Sequence, residues 1–463
     1  MDKKLLMDNL FKEAHERGLF DGTWLFAENG EIVSKGAYGM RDLEGKLPIQ
    51  EDSIFDIASV SKQFTAAAVM IARRKGLLGL EDEITKFFPE IPYKGITILN
   101  LLHHTGGLPD YADDDWIENT ARKENTIPDN NIVVRYLCEC GEEARFAPGD
   151  EFEYSNTGYN LLAAIVEKVS GMKFEDFLFE NVFKPAGMNS TRVIHRRKDN
   201  ETVENLAYGR FFEGGKYILP DDSKEITYVV PLDGMAGDGN VHTNVLDMFK
   251  WDQALREGKI LTREEQEMMW ALSTLNNGEP SGEDDSMADL GIGFKVDGYG
   301  FGWEIIHDEK LGLIVQHTGG WQGYLSYYVR FVDANRMFII LMSHYETDMR
   351  GGYTFWNAVR MIAMGEDPKP IQMIEDLEIK NPDKSKWQSY VGKYEHKDED
   401  FYIDEVFIKD GDLYATLFDE DETEEIKLYP LKDKEFGRKF GYATFVFGKN
   451  CVKYIGNTCK KLS

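Results

Sequence analysis

The sequence predicts an α+β protein, an α/β sandwich. One antiparallel sheet is flanked by terminal helices, interrupted by a large all-helical insertion and followed by a small all-β barrel. Three observations predict this. Period-two apolar runs occur near both ends of the first 365 residues, on either side of a segment, about 56–270, patterned at helical spacing. At Gly365-Glu-Asp-Pro-Lys-Pro370 the composition turns charged, and beyond Lys386 short strand-like runs alternate with turn residues.

The elements follow in order. Leu6, Leu10, Phe11 and Ala14 share one face of a first helix. GTWLFAEN and EIVSKGAYG flank Asn29-Gly30, the signature of a type I′ hairpin. In the insertion, VSKQFTAAAVMIARRK ends at Gly76 and YNLLAAIVEKVS at Gly171, each with a glycine just past the helix. Thr97 is placed to cap ILNLLHH. YGFGWEII, LGLIVQH, YLSYYVRF and MFIILMS read as strands with a turn at Asp333-Ala-Asn335, and a helix follows near 349–364. The expected domains are 1–365, a linker at 366–385, and an antiparallel barrel at 386–463. Its strands are WQSYVGKYEH, FYIDEVFIKD, DLYATLFD, EIKLYPLK, YATFVFGK and CVKYIG.

Charge narrows the function classes. With 82 acidic against 53 basic residues the net charge is −29, a field that repels phosphate backbones and anionic lipid. No nucleic-acid or membrane partner is therefore expected, but a small-molecule or peptide substrate. Asp8, Lys12 and Glu13 break the first apolar stretch and no apolar run approaches ~18 residues, which predicts a cytoplasmic chain. Cys138, Cys140, Cys451 and Cys459 lack the partners of a zinc site and read as free thiols; a Cys451–Cys459 bridge stays open. No metal or cofactor is expected. The sequence sets no oligomeric state.

Three short motifs carry chemistry. Ser59 and Lys62 lie three apart at the start of a helix, on one face, so the amine reaches the hydroxyl; the first-turn amides favour an alkoxide there. In Tyr154-Ser155-Asn156 an extended backbone would turn Tyr154 and Asn156 to one side, a phenol for proton transfer and an amide for substrate. His-Thr-Gly-Gly occurs twice. The copy at 104–107 reads as a turn before Leu108-Pro109, with His104 acting mainly through stability. The copy at 317–320 lies between strands, where a substrate can be laid along the backbone.

In this order the motifs resemble those of serine hydrolases akin to penicillin-binding proteins and class C β-lactamases. The resemblance runs over roughly 20–360. It extends through LLHHTGGLPDY (101–111), APGDEFEYSNTGYNLLAAIVEKVSG (147–171), FKPAGMNST (183–191), MAGDGNVHTNVLDMFKW (235–251), YGFGWEI (299–305) and QHTGGWQGY (316–324). It implies that Ser59 is acylated, that Lys62 is its partner and Tyr154 the base, and that Asn156, His317, Thr318 and Gly319 bind substrate. The backbone amides of Ser59 and Gly320 would form the oxyanion hole. Tyr111, Trp321 and Tyr324 adjoin the motifs as pocket aromatics, or equally as core.

Where β-lactamases of this type carry lysine, this chain has His317. That resembles D,D-carboxypeptidases, D-aminopeptidases and related esterases, and implies weak lactam hydrolysis. With an imidazole titrating near ~6.5, His317 is expected to act as a charge switch toward substrate carboxylates. No class A deacylation glutamate motif is present, which leaves water activation to Tyr154. The C-terminal strands, from VGKYE (391–395), resemble an appended lipocalin-like domain. The rival readings are a β-lactam sensor that acylates without turnover, and a ligand-binding protein that uses the barrel.

Overall fold

Asn29 (φ 54°) and Gly30 (φ 80°) both adopt the left-handed backbone that a type I′ turn requires, so the first hairpin forms where the sequence placed it. The computed structural model describes residues 1–462 apart from 214–215, 225, 345–347, 396–400, 420–421, 440, 442–443 and 455–456.

The hairpin strands β1 (Gly22–Glu28) and β2 (Glu31–Tyr38) join five later ones. These are β3 (Gly298–Tyr299), β4 (Glu304–Asp308), β5 (Gly312–Trp321), β6 (Tyr324–Phe331) and β7 (Arg336–Met342). The sheet order is β2-β1-β7-β6-β5-β4-β3 and every pairing is antiparallel. Leu25 of β1 faces Ile339 of β7, which closes a sheet whose halves are separated by the whole insertion. Nearly every residue of β6 and β7 is buried, so both faces are covered. On one face Phe11 of helix α1 (Lys3–Glu16) stacks on Trp24, with centroids 4.2 Å apart.

YGFGWEII was expected as one strand and is instead two, broken at Gly302 (φ 74°). A Cβ at Gly302 would lie 2.7 Å from the Lys62 carbonyl carbon. The break lets the loop lie directly against helix α2 (Lys62–Arg74). All residues of α2 from Lys62 to Ala72 are buried, the mark of a helix inside a core. Helix α3 (Asn156–Ser170) shares that core; Ser155 caps it by accepting from Gly158 N, and Gly171 (φ 69°) ends it. Thr97 caps Ile98–Leu102 through a capping box with Asn100. A small sheet of Phe55–Asp56, Val241–Thr243 and Arg192–Val193, in that order, braces the entry to α2.

Residues 1–15, 20–345 and 363–365 form one compact unit, and 16–19, 346–362 and 366–463 the other. The helix expected near 349–364 spans Met349–Met364. The stretch expected as linker holds short helical turns at Ile374–Leu377 and Lys384–Lys386. WQSY, expected as strand, forms a helical turn at Trp387–Tyr390, and pairing begins at Gly392. Eight antiparallel strands from Gly392–Glu395 to Asn457–Lys461 then close into a barrel, the first bonded to the last. Ile403, Val406, Leu413, Leu417, Phe436, Phe445 and Phe447 are buried in its core. The ends of three expected strands, at His396, Tyr442-Ala443 and Ile455-Gly456, lie outside the described residues. Cys459 pairs with Val452, so Cys451 is one position out of register; both are free thiols, as are Cys138 and Cys140.

Candidate active site

The chain reaches Ser59 through a strained turn. Ile57 N donates to Val241 O (3.0 Å), and Ser326 Oγ donates to Ile57 O (2.8 Å). Ala58 sits in left-handed backbone (φ 46°), its amide held by Asp56 Oδ1 at 2.8 Å. Ser59 therefore stands half-buried in a 3-10 turn, Ala58–Ser61, that leads into α2. Strand β5 presses on this turn at Gly319, where a Cβ would lie 2.4 Å from Ile57 O and 3.2 Å from Ser59 N. Only glycine permits that approach.

Lys62 opens α2 and is fully buried. Its Nζ lies 3.2 Å from Ser59 Oγ, 2.8 Å from Asn156 Oδ1 and 3.0 Å from Asp238 O. It also lies 4.7 Å from the Tyr154 ring centroid. Burial lowers this amine to about 8, against the raising effect of Asp238 and Asp110. Tyr154 is 39% exposed. Desolvation raises its phenol well above the ordinary value, against the lowering effect of its interaction with Ser59.

His317 is buried on β5. Its Nδ1 meets Thr318 O at 2.5 Å and its Nε2 meets Tyr299 Oη at 2.9 Å. A carbonyl only accepts, so Nδ1 carries the proton and the Tyr299 hydroxyl donates to Nε2. Burial, with the Lys62 charge, lowers the imidazole to about 3. The expected charge switch is therefore corrected: the ring is neutral throughout the working range, because the sheet buries it.

In front of these groups lies a cavity of about 520 Å³. Ser59, Tyr154, Asn156, Gly320, Tyr111, Trp321 and Tyr324 all line it. Lys62, His317 and Gly319 do not, and Thr318 is exposed on β5 without reaching the lining. Tyr111 donates to Asp238 Oδ2 (2.7 Å) and Tyr324 to Ala207 O (2.9 Å), so both are wall and core at once. Asp113, Asp114, Asp115 and Glu118 line one side. Arg196 and Arg197, also in the lining, are paired with Asp221, and Arg197 with Asp233 as well. Among the described residues no group of acids, histidines and cysteines is arranged to hold a metal. No helix there is long and apolar enough to cross a membrane.

Sequence reasoning singled out neither Asp238 nor Tyr299, although each lies in a quoted stretch, MAGDGN and YGFGWEI. It also passed over Asp56, the buried acid that holds the Ala58 amide. Chemically the arrangement is an amine with two fixed acceptors and its remaining position turned to a serine hydroxyl.

The chain is 36% identical over 395 residues to penicillin-binding protein 4* of Bacillus subtilis, covering 85% of this chain and 83% of that one. In fold it is similar to the octameric penicillin-binding protein homologue from Pyrococcus abyssi, with a TM-score of 0.65, 22% identity and coverage of 98% and 99%. It is similar also to D-amino acid amidase from Ochrobactrum anthropi SV3, with a TM-score of 0.61, 22% identity and coverage of 78% and 96%. The Beta-lactamase family profile matches residues 7–359, and the chain belongs to that family of serine hydrolases and acyl-transferases.

Proposed function

We propose that the protein is a serine hydrolase that forms an acyl-enzyme on Ser59 and cleaves a small peptide, amide or ester. The observation that carries this reading is the environment of the Lys62 amine. Asn156 Oδ1 and Asp238 O take two of its N–H groups, and the third position faces Ser59 Oγ. As an ammonium it donates to all three; as a free amine it turns its lone pair to the serine hydroxyl. Lys62, in place of the expected Tyr154, then takes the Ser59 proton as Oγ attacks the carbonyl, because burial lowers the amine to about 8 and raises the phenol well above its ordinary value. Tyr154, beside Ser59, passes a proton to the leaving group and later draws one from water, whose oxygen takes the acyl group as Ser59 Oγ leaves and recovers its proton from the Lys62 ammonium. The amides of Ser59 and Gly320 receive the oxyanion.

The substrate reading follows from charge. His317 is neutral and both cavity arginines are paired, which weakens any pull on a carboxylate; Asp113 and Glu118 are likewise paired, with Arg145 and Arg122, so the preference for an amine rests on Asp114 and Asp115. D-aminoacyl amides, short peptides and esters come ahead of β-lactams on this ground. Intact mass after exposure to D-aminoacyl amides, D-Ala-D-Ala peptides, esters and penicillins reads both acyl preference and site. Steady product release supports a hydrolase; one stoichiometric burst that then stops supports a lactam sensor instead.

A pH prediction follows from Lys62. Because burial holds its amine at about 8, the unprotonated fraction grows as pH rises through that value. For a neutral ester, kcat/KM should climb about tenfold per pH unit below pH 8 and level off above it. A profile that is flat between about pH 6.5 and 9 would remove Lys62 as the proton acceptor.

A further inference from the structure

The first His-Thr-Gly-Gly copy has no place in the mechanism above, yet it lies against one of that mechanism's groups. His104 ends the helix Ile98–Leu102 and adopts left-handed backbone (φ 57°). That conformation turns its carbonyl and its ring to the same segment. Glu153 N donates to His104 O at 3.0 Å, and Ser155 N donates to His104 Nδ1 at 2.9 Å. These are the two amides that flank Tyr154. The imidazole also packs on the Tyr154 ring, with centroids 4.4 Å apart and planes tilted by 36°.

The geometry points to His104 as a positioning residue that clamps Tyr154 from both sides and from beneath, fixing its hydroxyl toward Ser59. An amide can only donate, so the ring accepts at Nδ1 and must be neutral or lose that bond. Its surroundings keep it so. Lys62, His317 and His103 bear on it electrostatically, and the Tyr159 and Tyr299 rings enclose it at 4.9 and 4.6 Å. Burial and the Lys62 charge hold the imidazole well below its ordinary value. The role is remote from substrate, since His104 does not line the cavity. It differs from the stability role expected of this copy, because the contacts fall on a single functional side chain and its neighbours. The inference about catalysis rests on the Ser59 reading; the clamp itself does not.

Three variants test it. Asn accepts left-handed backbone and places an amide oxygen where Nδ1 stands, so His104→Asn keeps the acceptor. His104→Ala removes it, and His104→Gln moves it out of place. The readouts are kcat and KM, the rate at which a fluorophosphonate labels Ser59, thermal unfolding, and exchange of the Glu153 and Ser155 amides. His104→Ala and His104→Gln should lower kcat and the labelling rate by about 10- to 100-fold with KM within about twofold. His104→Asn should stay within about threefold of wild type. The two amides should exchange faster in the Ala and Gln variants than in the Asn variant. An Asn variant as slow as Ala, or a loss accounted for by the unfolded fraction, overturns the positioning role. Unchanged exchange in His104→Ala overturns the clamp. Wild-type labelling away from Ser59 overturns the catalytic reading, while the exchange arms still decide the clamp.

Discussion

Ser59→Ala should abolish covalent labelling by a fluorophosphonate or a penicillin, and activity with it. Lys62→Ala and Tyr154→Phe should each cost on the order of 10³ or more in kcat, because groups that act as a unit fail together. The structure sharpens the reason. Lys62 lies 3.2 Å from Ser59 Oγ and is fully buried, so no solvent base replaces it. Tyr154→Phe removes the hydroxyl proposed to move the proton while keeping the ring that packs on Lys62 and His104. Its stability should therefore change little while its turnover collapses. The measurement is single-turnover acylation followed by peptide mapping. An adduct on Ser61 or Ser155 in the wild type would reassign the nucleophile.

Gly319→Ala should be nearly as damaging for a different reason. The added methyl would stand 2.3 Å from Ser326 Oγ and 2.4 Å from Ile57 O. Ser326 Oγ can rotate, at the loss of its bond to Ile57 O, but the Ile57 carbonyl is backbone and moves only if the turn before Ser59 moves. We expect a stability loss of about 1–3 kcal/mol from overpacking and a fall in kcat of about 100-fold or more. Thr318→Ala, one residue earlier and exposed, should stay within about 0.5 kcal/mol of wild type. Denaturant unfolding and kcat on the same preparations check both. A fully active Gly319→Ala would show that the strand does not hold the serine turn.

Local signals were legible in the sequence and long-range ones were not. Asn29-Gly30, Thr97 and Gly171 mark their turn, cap and helix end because each acts within a few residues. The helix Met349–Met364 was legible from its period. The four-residue helices at Ile374–Leu377 and Trp387–Tyr390 were not, since one turn carries no period. At the site, the resemblance named Ser59, Lys62, Tyr154 and Asn156, and the fold gathers them within reach of one another. Nothing in the spacing showed that Asp238, 176 residues beyond Lys62, would lend it a carbonyl. Nor did it show that the copy of the motif read as a turn would grip Tyr154. The neutrality of His317 is a property of burial, which emerges only when β5 is placed in the sheet.

The backbone of Ala58 has a consequence for anyone who sets out to make this protein more heat-resistant. Left-handed backbone costs a residue with a Cβ roughly 1–2 kcal/mol that glycine does not incur, and Ala58 bears it at φ 46° immediately before the serine. A screen for thermal tolerance would therefore find Ala58→Gly attractive. Yet glycine at that point also widens the set of shapes open to the loop, both unfolded and folded, and loosens the aim of the Ser59 hydroxyl and amide. Ala58→Gly should therefore raise the unfolding temperature while lowering the rate at which Ser59 is labelled, two readouts that move in opposite directions at one position.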